Sequence, residues 1–299
     1  MAFSLQPSAF ILHLNLIEKA LNKALPSQHV LPKTIHRAMR YSLLAGGKRL
    51  RPLLCLAAAE ACSNRENILK EVMPVACALE CLHTYSLIHD DLPAMDDDDL
   101  RRGKPTSHKV FGEGIAILAG DALLTRSFEL LSQITPPKRY PLIKFLQEMS
   151  VAAGSQQLIA GQVADLEAEG KKVTLADVRF IHERKTAAMI VLSLRLGGMM
   201  ANATPKQLKA LTKFGKALGL AFQIIDDILD VTQSSAQLGK SAGKDLAAKK
   251  ATYPAIIGLE ASRRKAAKLT AASDQALRDF GPRGKMLGLF AQELLKRPS

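Results

Sequence analysis

The spacing of the apolar residues is the feature of this sequence that most constrains its fold. Between Gln207 and Val231 the larger apolar side chains recur at intervals of three and four positions. That spacing places them on one face of an α-helix. Most of the chain repeats it, and no stretch of useful length alternates apolar and polar residues as a half-buried strand does. The pattern predicts an all-α protein.

Turn-forming residues divide this pattern into helices of roughly 15 to 25 residues. Thr174, with Asp177 three positions later, has the pattern of a capping box at the start of one helix. No shift in composition marks a linker, so residues 1–299 are expected to form one domain, a helical bundle. The breaks are expected at 26–27, 46–47, 103–105, 136–137, 170–172, 202–205, 239–243 and 281–282.

Composition narrows the class of protein further. Hydrophobic residues make up 47% of the 299 positions, which is enough for a core and excludes a disordered chain. Charged residues interrupt every apolar stretch before the roughly 18 positions of a membrane span, and the first residues carry neither a basic cluster nor a cleavage site. We therefore expect a soluble, cytoplasmic protein. Four cysteines are expected to be reduced and buried: Cys55, Cys62, Cys77 and Cys81.

The net charge of +13 is compatible with nucleic acid, an anionic membrane or a phosphorylated small molecule as partner. The chain has no tryptophan, and its basic residues are spread without the aromatic interleaving of a single-stranded nucleic-acid site. Zinc-finger spacing and a basic zipper are also absent. A basic helical nucleic-acid-binding protein is therefore disfavoured, and it is kept as the alternative from another functional class.

A dense acidic cluster follows an apolar helical run. Pro93 cannot continue that helix, so the chain is expected to loop and bring Asp96 back toward Asp90. Like charges this close repel, and a divalent cation relieves the repulsion. Neither a calcium EF-hand nor a zinc site has this spacing, whereas a solvated acidic loop remains an alternative for the cluster alone. Its six carboxylates are Asp90, Asp91, Asp96, Asp97, Asp98 and Asp99.

A second acidic cluster favours a metal site over a solvated acidic loop. Asp226 and Asp230 are four positions apart and share a helix face, which Gln223 and Gly219 extend toward the start of the helix. Carboxylates on an otherwise core-like helix imply a polar cavity. Hard oxygen ligands of this kind suit Mg²⁺ bound together with a substrate phosphate.

These motifs together resemble those of the polyprenyl synthetase family, the trans-isoprenyl diphosphate synthases, and most closely the bacterial farnesyl diphosphate synthases. DDxxxxD at 90–96 precedes DDxxD at 226–230, with GGKRLRP at 46–52 and GKSAGKD at 239–245. The resemblance extends roughly over residues 38–254. It implies an all-α isoprenoid synthase bundle with a central cavity, usually a homodimer, in which the two Asp motifs face each other. About three Mg²⁺ ions would bridge them to an allylic diphosphate.

The resemblance also assigns roles to individual residues. For metal it implies Asp90, Asp96 and Asp226, with Asp91, Asp227 and Asp230 as direct or water-mediated contacts. For isopentenyl diphosphate it implies Gly47, Lys48, Arg51, His83 and Arg102, and for the allylic diphosphate Arg101, Lys240 and Lys250, the last preferred to the adjacent Lys249. Lys185, Thr186 and Gln223 are implied as catalytic residues that line the allylic substrate and stabilise developing positive charge.

Two of these assignments also have support from the residues themselves. Lys48 and Arg51 would lie one helical turn apart, a spacing that suits a single diphosphate. Lys185 stands on an apolar stripe, where a lysine either extends to solvent or meets an anion. No side chain is an obvious base for the final proton. The resemblance also implies a basic C-terminus that shields the isopentenyl site, for which Lys296 and Arg297 are the candidates, although Pro298 restricts the geometry.

Product length is expected to depend on Tyr85, five residues before Asp90. The resemblance implies that a bulky aromatic here helps form a floor that stops elongation at fifteen carbons, whereas Ser86 is too small to do so alone. We therefore expect farnesyl diphosphate, made from isopentenyl and dimethylallyl or geranyl diphosphate. A geranylgeranyl diphosphate synthase is the nearest alternative. A terpene cyclase is more distant, because its second motif normally carries Asn, Ser and Glu ligands.

Overall fold

The structure is a computed structural model that describes residues 8–232 and 252–295. Over these ranges the chain is helical apart from short connections and one small hairpin, which confirms the predicted all-α class. The helices are α1 (Ser8–Ala24), α2 (Lys33–Leu43), α3 (Leu50–Cys62), α4 (Ile68–Asp90), α5 (Ser107–Phe111), α6 (Glu113–Ser132), α7 (Leu142–Ala153), α8 (Leu158–Ala168), α9 (Leu175–Ile181), α10 (Ala188–Met200), α11 (Pro205–Thr232), α12 (Tyr253–Ile257), α13 (Leu259–Ala276) and α14 (Lys285–Leu295).

Two shorter helical segments join these elements. A π-helical turn, His182–Ala187, connects α9 to α10, and a 3₁₀ segment, Arg278–Gly284, leads into α14. Contacts along the chain group the described residues into two compact units, 8–146 with 199–202, and 147–198 with 203–232 and 252–295. The first unit carries the DDxxxxD motif and the second carries DDxxD. The expectation of one domain over 1–299 stays a prediction.

Helix α4 forms the centre of the first unit, where it packs against α3 and α6. Leu79 and Leu82 are fully buried on it, so the helix is fixed by its apolar side chains. It ends at Asp90, ahead of Pro93, as the sequence predicts. The burial of α4 therefore carries Asp90 and Asp91 to the rim of the core, where their relative exposures are only 9% and 3%.

A hairpin that the sequence analysis did not anticipate follows the acidic loop. Strand β1 (Leu100–Arg101) pairs antiparallel with β2 (Lys104–Pro105). The two turn residues, Arg102 and Gly103, have φ of 56° and 75°, the left-handed backbone that tight two-residue hairpins use. Strands of two residues are too short to show an alternating pattern, which is why periodicity missed them.

The second unit is organised around α11, which spans 28 residues and packs against α13 and the π-helical turn. Ile224 and Ile228 of α11 join Val178, Tyr253 and Ala266 in a buried apolar cluster. Asp227 lies between these isoleucines and is 6% exposed. Burial of the apolar face of α11 therefore fixes the orientation of the helix, and with it the direction of the predicted polar stripe.

Three of the four cysteines match the sequence expectation, whereas most of the described helices are shorter than the expected 15 to 25 residues. Cys55, Cys77 and Cys81 are buried free thiols, whereas Cys62 is free and only half-buried. Burial raises the pKa of Cys77 to about 12, which keeps it protonated at neutral pH. Among the residues that the structure describes, none of the helices is both long and apolar enough to cross a bilayer.

The predicted capping box is present at the start of α9. The Asp177 backbone N–H donates to Thr174 Oγ1 at 3.3 Å, and the Thr174 N–H donates to Asp177 Oδ2 at 2.8 Å. These bonds satisfy two backbone donors that a helix start would otherwise leave to water. They also lower the pKa of Asp177.

Thr174→Ala should lower the free energy of unfolding by about 1 kcal/mol, because the reciprocal cap is lost. Thr270→Ala is the control, since the Thr270 hydroxyl only donates to the Ala266 carbonyl of its own helix at 3.0 Å. The Asp177 carboxylate stabilises the fold above its unfolded pKa and stops doing so as pH falls through its lowered folded pKa. In urea titrations the gap between wild type and Thr174→Ala should therefore narrow in acid. Equal losses in the two variants at neutral pH would contradict a specific role for the cap.

Candidate active site

The first acidic cluster folds back on itself immediately after α4. The Asp96 N–H donates to the Asp90 carbonyl at 2.8 Å, and the Asp98 N–H donates to the Asp91 carbonyl at 3.2 Å. Asp97 supplies the sharp change of direction, with φ of 46°. The prediction that Asp96 returns toward Asp90 is confirmed at the level of the backbone.

Arg101 on the hairpin lies against this loop. Its Nε donates to Asp91 Oδ1 at 2.6 Å and its Nη2 donates to Asp98 Oδ2 at 3.2 Å. Burial raises the pKa of Asp91, and the hydrogen bond and charge of Arg101 oppose that rise. The carboxylate of Asp91 is thus already engaged by a cation of the protein.

The neighbouring residue, Arg102, extends to the glycines upstream of α3. Its guanidinium donates to the Gly46 carbonyl. A Cβ at Gly47 would lie 2.5 Å from Arg102 Cζ, and Gly47 has φ of 123°. Gly47 is therefore required both for its backbone conformation and for the space that Arg102 occupies.

Arg51 and His83 complete a positive pocket beside Arg102. The pKa of His83 is held well below its ordinary value by burial and by the charges of Arg51 and Arg102. Burial and Arg102 also lower the pKa of Arg51 to about 10, against the opposing charge of Glu80. Arg51 Nε is buried and has no hydrogen-bond partner among the described residues. The structure thus gathers Gly47, Arg51, His83 and Arg102 as predicted, in an arrangement suited to an anion.

The position of Lys48 differs from the one that the sequence predicts. Helix α3 begins at Leu50, and the intervening Arg49 has a left-handed backbone with φ of 47°. Lys48 therefore precedes the helix and is exposed, so it does not lie one helical turn from Arg51. Arg49, which sequence reasoning passed over, is the buried basic residue of the turn, with 1% exposure.

In the second unit, Lys185 lies on the π-helical turn and meets an anion. Its Nζ donates to Asp165 Oδ2 of α8 at 2.7 Å. A Cβ at Gly161, also on α8, would lie 2.4 Å from the Lys185 backbone nitrogen. Asp165 was missed by the sequence analysis, because its relation to Lys185 depends on this close approach of two helices rather than on any local spacing.

Thr186 and Gln223 are brought together across the same turn. The Thr186 hydroxyl donates to Gln223 Oε1. A Cβ at Gly219 of α11 would lie 2.6 Å from the Cβ of Ala187, so the π-helical turn rests directly on α11. Such turns frequently mark functional sites. Thr186 and Gln223 are thus in contact, and Lys185 precedes Thr186 on the same turn; their catalytic role stays a prediction.

The second acidic cluster lies one turn further along α11. Asp227 Oδ2 accepts the Tyr253 N–H at 2.8 Å, and its Oδ1 is 3.7 Å from His182 Nε2. Asp230 Oδ2 is buried without a hydrogen-bond partner among the described residues. Asp227 is therefore engaged by the protein. Asp226 and Asp230 lie on the helix face that Gln223 begins.

These carboxylates fit Mg²⁺ by their chemistry. Over residues 8–232 and 252–295, no three His, Cys, Asp or Glu side chains assemble into a site of their own. Mg²⁺ is usually held by one or two carboxylates together with waters and substrate phosphate, so paired aspartates suffice. The buried, unpartnered oxygen of Asp230 is consistent with such an ion.

Several predicted residues lie outside the described residues. They are Lys240, Lys249 and Lys250 of the segment between α11 and α12, and Lys296, Arg297 and Pro298 at the C-terminus.

Tyr85 and Ser86 precede the acidic cluster on α4. Tyr85 is 8% exposed, and its ring lies edge-on to His89 with 5.8 Å between centroids. His89 Nε2 is 3.0 Å from the Ile117 carbonyl of α6. The Ser86 hydroxyl donates to the His83 carbonyl at 2.9 Å. Ser86 is four residues from Asp90 and shares its helix face, whereas Tyr85 shares the face of His89.

Comparison with known proteins agrees with this architecture. The sequence model of the polyprenyl synthetase family matches residues 32–279. The chain belongs to the polyprenyl synthetase family. Its members include the large subunit 1 of a chloroplastic heterodimeric geranylgeranyl pyrophosphate synthase from Arabidopsis thaliana, 50% identical over 91% of this chain and 76% of that protein. A chloroplastic geranylgeranyl pyrophosphate synthase from Catharanthus roseus is 49% identical over 90% of this chain and 74% of its own.

Solved structures give the same family. A geranyltransferase from Helicobacter pylori, complexed with magnesium and isoprenyl diphosphate, is 35% identical with a TM-score of 0.81, covering 98% of both chains. An FPP/GFPP synthase from Zymomonas mobilis is 32% identical with a TM-score of 0.83, covering 96% of this chain and 98% of the other. This polyprenyl synthetase is thus a prenyltransferase with the all-α fold of the isoprenyl diphosphate synthases.

Gly161→Ala should reduce prenyl transfer at least tenfold, because its Cβ would displace the backbone that carries Lys185. Gly114→Ala is the matched control: it is a helical glycine of α6 whose added Cβ would meet nothing within 4 Å. Steady-state kinetics and thermal unfolding of both variants provide the measurement. Full activity of Gly161→Ala would mean that the turn tolerates displacement.

Proposed function

We propose that this protein condenses isopentenyl diphosphate with allylic diphosphates to form geranylgeranyl diphosphate, with release of diphosphate. The observation that carries the chemistry is the pair of aspartate clusters on core helices, accompanied by the pocket of Arg51, His83 and Arg102. The twenty-carbon product is favoured by the curated relatives near 49% identity, which are named geranylgeranyl pyrophosphate synthases.

The basic residues would divide between two diphosphates. Arg51, His83 and Arg102, with Gly47 and Lys48, would bind isopentenyl diphosphate, since two arginines converge on a partly buried histidine there and Glu80 offsets part of their positive charge. Arg101 lies at the acidic loop and would serve the allylic diphosphate. A neutral His83 can donate one hydrogen bond without adding to the repulsion among the arginines.

Asp90, Asp96, Asp226 and Asp230 would hold Mg²⁺, which supplies charge neutralisation to the leaving diphosphate when bound. The allylic C–O bond breaks with its electron pair leaving on diphosphate, and the double bond of isopentenyl diphosphate attacks the resulting cation. Thr186 and Gln223 would direct their oxygens at the developing positive charge, and Lys185, held by Asp165, would direct its ammonium at the leaving group. The departing diphosphate would accept the final proton.

Farnesyl diphosphate is the second candidate product, and Tyr85 favours it. A buried aromatic one to two turns below Asp90 is in a position to shorten the space for a growing chain. Against this, Tyr85 shares the helix face of His89 rather than that of Asp90, where the small Ser86 lies. The aromatic ring therefore favours fifteen carbons and the relatives favour twenty.

We also propose that the protein is a homodimer. The proposal rests on the family resemblance, and Ile117 and Leu118 on α6, which are 44% and 54% exposed, are apolar side chains that such an interface would cover. The expected cytoplasmic location stays a prediction, and the curated plant relatives are named as chloroplastic.

Asp90→Ala and Asp226→Ala should each lower turnover by roughly a thousandfold or more in the presence of Mg²⁺, because each removes a metal ligand. Asp274→Ala, at an exposed position of α13, is the control and should keep wild-type activity. Diphosphate release with and without EDTA measures the dependence, and circular dichroism checks that the variants fold. An active Asp226→Ala variant would remove the second motif from the metal site.

Product analysis by reversed-phase chromatography separates the two chain-length candidates. Native protein supplied with isopentenyl and dimethylallyl diphosphate should accumulate a twenty-carbon product, and Tyr85→Ala should leave that length unchanged. Accumulation of fifteen carbons by the native protein, with longer products from Tyr85→Ala, would instead establish Tyr85 as the floor. Tyr85→Phe keeps the ring and is the control for loss of the hydroxyl alone.

A further inference from the structure

A buried ionic network lies directly beneath the turn that carries Gly47 and Arg51. Arg49 Nε donates to Glu18 Oε1 at 2.7 Å, and its Nη1 donates to Glu80 Oε1 at 2.9 Å. Its Nη2 donates to Glu18 Oε2 at 3.3 Å. The three residues come from α1, the start of α3 and the middle of α4, so the network ties three helices to one turn.

The cost of this arrangement suggests a function beyond stability. Arg49 and Glu80 are each 1% exposed, and a buried ion pair is often no more stabilising than an apolar pair of similar volume. Arg49 also adopts a left-handed backbone, which is unfavourable for a residue other than glycine. Strain and buried charge at one position are more typical of a functional site than of a core.

Glu80 connects the network to the positive pocket. Its negative charge opposes the lowering of the pKa of both Arg51 and Arg102, and Arg49 contributes to the positive field on His83. Glu80 Oε2 is buried without a hydrogen-bond partner among the described residues. Glu80 is thus a buried anion at the inner side of a cluster of arginines, where it offsets their mutual repulsion.

We infer that Arg49, Glu80 and Glu18 form a positioning network, which holds the 46–51 turn and its arginines in the geometry that binds the diphosphate of isopentenyl diphosphate. The inference rests on the proposed assignment of that pocket. Arg49 fixes the turn through its planar fork to two carboxylates, and Glu80 keeps Arg51 and Arg102 close together. None of the three contacts the substrate, so each acts through the residues that do.

The network predicts a kinetic pattern that a merely structural role would not produce. Glu80→Gln and Arg49→Lys should raise the KM for isopentenyl diphosphate about tenfold, since a lysine cannot reproduce the two-sided fork. The KM for the allylic substrate and kcat should change less than threefold. Glu80→Gln and Arg49→Lys each perturb a buried charge and therefore also affect folding. A second pair of variants, at partly exposed glutamates, tests the network without that effect.

That pair is Glu18→Gln and its control, Glu60→Gln. Glu18 and Glu60 have side-chain exposures of 39% and 33%, and each contacts a buried basic side chain of the first unit, Arg49 and His13 respectively. Glu60 pairs with His13 at 3.2 Å and has no contact with Arg49, whereas Glu18 holds the Arg49 fork. Glu18→Gln should raise the KM for isopentenyl diphosphate about threefold, and Glu60→Gln should leave it unchanged.

Equal KM values for isopentenyl diphosphate in Glu18→Gln and Glu60→Gln would overturn the inference, as would parallel rises in the KM for both substrates. Wild-type protein is assayed in the same series. If wild type itself shows no Mg²⁺-dependent condensation, the proposed function fails first; if wild type is active and Glu18→Gln matches its control, only the positioning network fails.

Discussion

The structure depends on one electrostatic constraint: charged groups are placed at the ends of buried helices, where water cannot screen them. Helix α4 is fixed by its apolar residues and delivers Asp90 and Asp91 to the edge of the core. Arg101 compensates part of that negative charge from the hairpin. Three turns earlier on the same helix, the negative charge of Glu80 offsets part of the positive charge of Arg51 and Arg102. Helix α4 thus carries the first aspartates of the acidic cluster at its end and, nearer its middle, the carboxylate that offsets the charge of the arginines.

Periodicity predicted the long elements and the residues that lie on them. The 3.6-residue repeat gave α11, and with it the face shared by Gln223, Asp226 and Asp230, because those residues are local to one regular helix. It failed where the backbone leaves regular geometry. The left-handed Arg49 delays the start of α3 and removes Lys48 from the helix, and the π-helical turn at His182–Ala187 shifts the register of Lys185. Partners such as Glu80 and Asp165 come from distant helices, so no local spacing could have paired them with Arg49 and Lys185.

Product length is a different kind of property from family membership. An identity near 50% over nine-tenths of the chain averages over some 270 positions. The proposed limit on product length, in contrast, rests on one or two side chains of α4. Tyr85 and Ser86 are adjacent in sequence, yet they lie on different faces of α4, one toward His89 and one on the face of Asp90. Overall similarity and local geometry therefore carry independent information about the product, and they need not agree.

The glycines around the π-helical turn have a consequence for how such an enzyme can change. Gly161 approaches the backbone of Lys185 and Gly219 approaches Ala187, in both cases closer than any side chain permits. Contact between main chains cannot be adjusted by a new rotamer, so even a single methyl group at either glycine displaces the turn as a unit. If the proposed function holds, variation that leads to new products is therefore expected at positions where side chains can be exchanged one at a time, while the turn that carries Lys185 and Thr186 remains an all-or-none element of the fold.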